Sequence, residues 1–362
     1  GPRSSYVGLR KSKSLMVDHF ITADSGYVDG DVYLVTGSHG HIGSYIVEQL
    51  CLEKDNITII CVDSLYNGNI DNLKDAFTAA EDKNISLVPA MVDITNAILM
   101  RETFEKYKPN YLFHCASYLT LDSNKHKSRS VNVNVYGSAL IFELCLEFNV
   151  KKVIYSSSAS VYGTPTLTPT KEDYPFDDCK LLYGTSKIAT EYIAKSFMEE
   201  GLDIVGLRYF NVYGPRQSLS NVYTQIVPKW INAIANGETI TIYGDGRQTM
   251  DMIYGADIGR ANLAALENEE CKNMFINVGT GFQTSVINLF ELISDRMTKL
   301  MGRKNVGAIY DPHDPNLVKK RCASVQKMHK YLGVHQVDID HGIDLTCKEL
   351  YKRATEWQSH NG

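Results

Sequence analysis

Residues 31–50 read DVYLVTGSHGHIGSYIVEQL. Val32, Tyr33, Leu34 and Val35 make a short, mostly apolar run suited to a buried strand. Gly37, Gly40 and Gly43 follow at three-residue spacing, and Ile42, Ile46, Val47 and Leu50 then recur with a helical period. A strand, a tight turn and a helix start leave backbone N–H groups unpaired and convergent, an arrangement suited to a pyrophosphate. A second apolar run, Ile57 to Val62, ends at Asp63, within reach of adenosine ribose hydroxyls. The Asp63 charge would oppose a 2′-phosphate, so NAD is expected rather than NADP.

Working outward, apolar runs at Ile85–Pro89, Tyr111–Ala116, Lys152–Ser156, Ile204–Tyr209 and Met274–Val278 predict further strands. Helical patterns at Leu73–Ala80, Ile98–Tyr107, Asn132–Phe148, Lys180–Glu200 and Ile258–Leu266 alternate with them. That alternation predicts an α/β fold, a doubly wound, mostly parallel sheet of the Rossmann type. Residues 29–211 plus 253–281 are expected to form the NAD-binding domain. Residues 212–252 plus 282–362, with helices near Pro228–Ile234 and Leu289–Met301, are expected to form a smaller, discontinuous substrate-binding domain. The basic, serine-bearing residues 1–28 read as a poorly ordered N-terminal extension.

The totals agree with a soluble globular chain. It has 362 residues, 44% hydrophobic and 22% charged, with a formal net charge of −5, which does not suggest a nucleic-acid binder. No apolar stretch is long enough to cross a bilayer, so no membrane partner is expected. The eight cysteines are scattered without close pairs, as expected for reduced thiols of a cytoplasmic protein, and the histidines suggest no metal site. The wide apolar surfaces of the segments near 134–148 and 183–200 predict a homodimer through those helices.

Tyr183-Gly-Thr-Ser-Lys187 carries the chemistry. Positions i and i+4 share a helix face, so a phenol and an ammonium can approach one small volume. A free phenol titrates near ~10 and is a poor base at neutrality. The lysine cation, together with the positive nicotinamide, is expected to favour its ionised form. Ser158, in the strand-end run Ser156-Ser-Ser-Ala-Ser160, can donate to the same substrate oxygen. Serine, tyrosine and lysine around a carbinol describe oxidation of a secondary alcohol by NAD.

With these motifs in order, the chain resembles the extended short-chain dehydrogenase/reductase family, specifically its nucleotide-sugar epimerases and dehydratases. The resemblance rests on TGSHGHIG at 36–43, Asp63, Asp93-Ile94, Asn134 with Gly137, SSSASVYG at 156–163 and YGTSK at 183–187. It continues through RYFNVYGPR at 208–216, YGDG at 243–246 and NVGTG at 277–281. It implies that Gly37, Gly40, His41, Ile42, Gly43, Asp63, Asn67, Asp93 and Ile94 contact NAD. Cys115, Ala116, Ser117, Asn134, Ser156, Tyr209 and Val212 would line the rest of the cofactor. Ser158 and Tyr183 would act on the substrate hydroxyl, and Lys187 would hold the nicotinamide ribose. Asn211, Tyr243, Arg247 and Arg321 would meet the nucleotide sugar.

The resemblance also separates reactions. Dehydratases and decarboxylases of this kind place an acidic residue just after the catalytic serine or threonine, where this chain has Ala159 and Ser160. Epimerisation at C4 of a nucleotide sugar, through a transient 4-keto sugar, needs no such group. It is therefore expected ahead of a 4,6-dehydratase, a uronate decarboxylase or a non-catalytic NAD-binding protein. Several positions depart from the family pattern. Met250 stands for an arginine that grips the diphosphate, Ala256 for an aspartate, and Asp314 for a second phosphate-binding arginine. Arg247 could replace the first. Arg321 could recognise an anionic sugar or turn to the phosphates, or belong to a basic surface run with Lys319 and Lys320.

Overall fold

The structure, a computed structural model, describes residues 28–66, 68–118, 124–176, 179–219, 225–305, 307–313 and 319–361. The N-terminal extension, but for Val28, lies outside the described residues, as do Asn67 and Asp314.

Seven strands form the central sheet: β1 (Val32–Thr36), β2 (Ile57–Val62), β3 (Ile85–Ala90), β4 (Tyr111–His114), β5 (Lys152–Ser158), β6 (Ile204–Tyr209) and a last strand, Met274–Val278. Their order is Met274–Val278, β6, β5, β4, β1, β2, β3, and each neighbouring pair is parallel. The order reverses between β1 and β4, so the carboxyl ends of these strands border a crevice, the usual ligand position in such sheets. The strands are apolar along their length because helices cover both faces.

One face carries α1 (His41–Glu53) and α2 (Lys74–Ala80), and the other carries α3 (Ala97–Tyr107), α5 (Ser138–Glu147) and α6 (Leu182–Glu199). A short α4 (Lys127–Val131) leads to α5 through a π-helical segment, Asn132–Gly137, within the expected single helix. The wider turn lets Asn134 leave the regular ladder and bond the loop after β4, which is a common reason for such bulges. β4 stops at His114 rather than Ala116, because the N–H groups of Cys115 and Ala116 donate to the Thr36 hydroxyl at 3.0 and 3.1 Å.

A third apolar cluster joins Tyr213, Trp230, Ile234, Ile242, Leu289, Ile293, Ile343 and Leu350. It draws on β7 (Asn211–Tyr213), α7 (Ile226–Ala235), β8 (Ile240–Tyr243), β9 (Thr249–Met250) and β10 (Met252–Tyr254). It is completed by α8 (Gly255–Glu267) at its edge, α9 (Val286–Met301) and α11 (Ile339–Asn361), with α10 (Gln326–Tyr331) on the main sheet. The long α11 was not expected from sequence. Its surface is largely polar, so its apolar stripe is narrow.

Helix α6 is fastened to the sheet by a buried ion pair. Arg208 of β6 donates from Nη2 to Glu191 Oε1 at 2.7 Å and from Nε to Oε2 at 3.0 Å. Ser157 of β5 donates to the same Oε2 at 2.6 Å, and the Arg208 guanidinium lies between the rings of Tyr162, Phe176 and Phe275. Removing one partner strands a buried charge, which costs more than the pair contributes. Glu191→Gln is expected to lower unfolding free energy by about 3 kcal/mol, read by denaturant titration; a loss below about 0.5 kcal/mol would contradict this role for the pair.

Candidate active site

The glycine turn is built for close approach. Gly37 has φ +68°, and a Cβ there would sit 2.9 Å from the Ala116 nitrogen. A Cβ on Gly43 would lie 2.0 Å from the Gly37 carbonyl oxygen, so the first turn of α1 presses directly on the loop. Gly40 caps α1 without a side-chain bond. The N–H groups of His41, Ile42 and Gly43 therefore have no partner within the helix and face the crevice mouth. The Asp63 carboxylate accepts the His39 N–H at 2.9 Å and the Leu65 N–H at 2.7 Å, bracing the loop while lone pairs remain for a hydroxyl. A bare helix start beside a braced carboxylate fits a dinucleotide.

The two histidines of the turn part ways. His39 is buried, with Nδ1 2.9 Å from the Ser38 hydroxyl. The His41 ring turns away from the loop, edge-on to Tyr45 and against Gly214 and Gly255. Burial brings its pKa down to about 3, with the Arg216 and Arg353 cations adding to the shift. Only its main chain belongs to the turn.

The far wall of the crevice is a buried polar network. Thr36 Oγ1 meets His114 Nδ1 at 2.7 Å, and His114 Nε2 meets Ser138 Oγ at 2.8 Å. Asn134 accepts the Tyr118 N–H at 2.7 Å and donates to Ser186 Oγ at 3.3 Å, tying the π segment to α6. Ile94 is buried against Gly137. Asp93 is exposed, and its Oδ1 accepts from the Thr95 N–H and hydroxyl at 2.9 and 2.7 Å. His114 is fully desolvated and sits near Lys187, which together bring it down to about 3, so it is a neutral link in this wall.

Tyr183 and Lys187 stand in the first turns of α6, beside the end of β5. The Tyr183 hydroxyl lies near the hydroxyls of Ser158 and Ser117, which act on its ionisation. Burial pushes the phenol up to about 12, and the nearby Ser158 and Ser117 hydroxyls pull it the other way. Lys187 Nζ lies 5.5 Å from the Tyr183 ring centre and donates to the Ser156 carbonyl at 2.9 Å. The serine hydroxyls lower the phenol pKa here, with the Lys187 ammonium standing beside the ring. Burial brings the Lys187 ammonium down to about 8, opposed by the Cys115 thiol and Glu191. Ser156 Oγ meets Tyr209 Oη at 2.8 Å and Cys115 Sγ at 3.3 Å, so Ser156, Cys115 and Tyr209 floor the same pocket.

Ser158 accepts the Ser160 N–H at 3.1 Å and caps the 3₁₀ turn Ala159–Tyr162. Asn211 Oδ1 accepts the Asp251 N–H at 3.1 Å, and Val212 pairs with Ile253, holding β7 to β10. Asp251 is itself buried and gathers the N–H groups of Thr280, Gly281 and Ala323. Tyr243 ends β8, and Arg247 lines an open depression of about 660 Å³ with Lys319 and Lys320. The carboxylate sought at Ala256 is one residue on: Asp257 is buried and accepts the Val337 N–H at 2.9 Å. Sequence reading missed Glu191 and Arg208, although Glu191 follows Lys187 by one turn on the same face.

The Lys187 shift has a consequence for stability. Its folded pKa lies below the unfolded value of 10.5, so the unfolded chain holds more protons between about pH 8 and pH 10.5. The penalty of the buried charge is complete below pH 8 and fades as pH rises through that window. Relative to Lys187→Met, the unsubstituted chain is expected to gain stability from pH 8 to pH 10.5. Paired thermal melts across that range check it, and a constant difference would refute it.

The sequence profile of the NAD dependent epimerase/dehydratase family matches residues 33–279. A UDP-N-acetyl-alpha-D-glucosaminuronate decarboxylase of Bacillus cytotoxicus is 32% identical over 70% of this chain and 76% of its own. The crystal structure of UDP-glucose 4-epimerase from Thermotoga maritima with UDP-glucose is 30% identical, has a TM-score of 0.78, and matches 89% of this chain and 99% of its own. A UDP-N-acetylglucosamine 4-epimerase from Methanobrevibacter ruminantium, in complex with UDP-N-acetylmuramic acid, is 31% identical with a TM-score of 0.78, over 90% of this chain and 100% of its own. The parallel sheet, the bare glycine turn and the serine–tyrosine–lysine centre thus accompany a match over most of the sequence, and the chain belongs to the NAD dependent epimerase/dehydratase family.

Proposed function

We propose that this chain epimerises a nucleotide sugar, a UDP-hexose, at C4. The observation that carries the reading is the placement of Tyr183 on α6 with Lys187 Nζ 5.5 Å from its ring centre, at the end of β5 where Ser158 is followed by Ala159 and Ser160 and by no carboxylate. Tyr183 takes the proton of the sugar C4 hydroxyl and later returns it. Ser158 orients that hydroxyl, and Lys187 holds the nicotinamide ribose. Bound NAD supplies the two-electron acceptor that takes the C4 hydrogen and gives it back. The 4-keto sugar formed between these steps must present its other face before reduction. Asn211, Tyr243 and Arg247 would hold the nucleotide diphosphate meanwhile.

Eliminating water would require a further acid and base beside the ketone. Ala159 and Ser160 occupy the positions after Ser158, and Glu191 is already engaged by Arg208 and Ser157. Similarity to a uronate decarboxylase supports a second reading, loss of carbon dioxide from a 4-keto uronic acid. Residues 29–211 with 253–281 would bind NAD, and the remainder the nucleotide sugar.

We also propose a homodimer through α5 and α6. Tyr136 and Tyr192 remain 46% and 58% exposed on the segments concerned, more than such large rings usually show.

Incubation with UDP-glucose, UDP-galactose, their N-acetylated forms and UDP-glucuronate, followed by mass analysis, tests the reaction. After chromatographic separation, a new isomer of unchanged mass is expected; loss of water or of carbon dioxide would overturn epimerisation. Tyr183→Phe is expected to lower kcat by roughly 10²- to 10⁴-fold, with NAD still bound. Tyr192→Glu is expected to shift the mass measured by light scattering from dimer to monomer, and an unchanged mass would refute that interface.

A further inference from the structure

β1 lies between β4 and β2 in the sheet, so its glycine turn opens between the loops that follow those two strands. Both loops press on the turn. After β4, the Ala116 nitrogen comes so close that a Cβ on Gly37 would meet it at 2.9 Å. After β2, Gly68 packs against the His39 side chain and the Asp63 carboxylate, and the Asn69 N–H donates to the His39 carbonyl at 3.0 Å. Each loop carries a tyrosine four residues past the end of its strand, Tyr66 after β2 and Tyr118 after β4.

The two tyrosines meet. Their ring centres are 5.3 Å apart, with the planes tilted by 51°. The Arg129 guanidinium of α4 lies on both, 5.2 Å from the Tyr66 ring centre and 5.5 Å from that of Tyr118. β2 and β4 are two strand spacings apart, roughly 10 Å, so side chains that join their loops pass above the end of β1. Tyr118 is buried, whereas Tyr66 and Arg129 are exposed, so the bridge has one side in solvent. Both of its feet are anchored. The Tyr118 N–H donates to Asn134 Oδ1 at 2.7 Å, and Asn134 Nδ2 donates to the Tyr118 carbonyl at 3.4 Å. On the other side, Leu65 has φ +64°, a left-handed conformation uncommon for leucine. The Asp63 carboxylate holds it there by accepting the Leu65 N–H at 2.7 Å, and the bend brings the next side chain, Tyr66, to Tyr118.

We propose that Tyr66, Tyr118 and Arg129 form a roof over the pyrophosphate of bound NAD, one that parts to admit the cofactor and then slows its escape. The inference rests on the glycine turn and Asp63 taking the dinucleotide, as read above, and is independent of C4 epimerisation. A dinucleotide with its adenosine ribose at Asp63 and its nicotinamide ribose at Lys187 runs from the β2 side of the sheet to the β5 side, along the span that the bridge covers. Its pyrophosphate then has the bare start of α1 below and the Arg129 cation above, two positive ends facing one anion.

Holoprotein loaded with radiolabelled NAD and chased with unlabelled NAD reports the release rate. Tyr66→Ala, which removes an exposed ring, is expected to release NAD roughly three- to tenfold faster, the range of an aromatic pair. Arg129→Ala is expected to release it roughly two- to fivefold faster. Tyr66→Phe, which keeps the ring contact, is expected to stay within about twofold of the unsubstituted rate. The three side chains form one unit, so the Tyr66→Ala, Arg129→Ala double variant is expected to gain less than the product of the single effects. Unchanged or slower release in Tyr66→Ala overturns the roof, and so does a double variant whose effects multiply. Adenosine has no pyrophosphate, and its affinity is expected to be equal in every variant. A parallel loss of adenosine affinity would mean that Tyr66 packs on the base, which also overturns the roof. A protein that retains no NAD at all removes the cofactor site and the roof with it. The stated changes in release uphold the roof whether or not C4 inversion is detected.

Discussion

The Glu191–Arg208 pair sets where the reacting groups stand. It is a two-point bond in a site closed to water, flanked by three aromatic rings, and it joins α6 to β6. Ser157 enters the same carboxylate from β5. One residue before Ser157, the Ser156 carbonyl takes the Lys187 ammonium. Two consecutive serines thus hold two residues one turn apart on the same helix. A shift of α6 by one residue would break both meetings together. Such a pair contributes little net stability, since desolvation offsets attraction, but it disfavours every other docking of the helix.

The centre it positions is rich in hydroxyls and poor in free carboxylates. The hydroxyls of Ser117 and Ser158 stand near that of Tyr183, and Lys187 is the cation beside them. Burial works against charge on both the phenol and the ammonium, pushing the first up and the second down. A dinucleotide with a positive ring would alter that balance at the same place. The glycine turn and Asp63 provide for such a ligand at the other end of the crevice, where β1 and β4 diverge. Between the two ends runs the Thr36–His114–Ser138 link, whose histidine is kept neutral by burial and by the Lys187 charge.

Much of this was legible beforehand because its signals are local. The strands of the main sheet are buried on both faces, so they read as continuous apolar runs. The glycines around residue 40 announced a close approach that the geometry bears out at Gly37 and Gly43. Tyr183 and Lys187 share a face because four residues are about one helical turn. Other features gave weak signals. Helix α11 has a narrow apolar stripe, and the π segment at Asn132–Gly137 has a composition any helix could carry. The direction of the His41 ring depends on Gly214 and Gly255, far along the chain.

From its own order of residues, the chain determined an α/β sheet, a helix start free of side chains beside Asp63, and a phenol one turn before an amine. These follow from periodicity and from the few residue types that fit a given backbone, and both are properties of short segments. Tertiary structure alone decided which groups act on which. Lys187 met the Ser156 carbonyl, Glu191 was taken up by Arg208, and Arg321 left its basic neighbours to stand on Ala159 and Gly163. Such pairings join residues from 17 to 162 positions apart, and they form only when the packing of distant elements closes the distance. Burial, which moves each pKa at this centre, is likewise a property of the assembled fold and is written in no single segment.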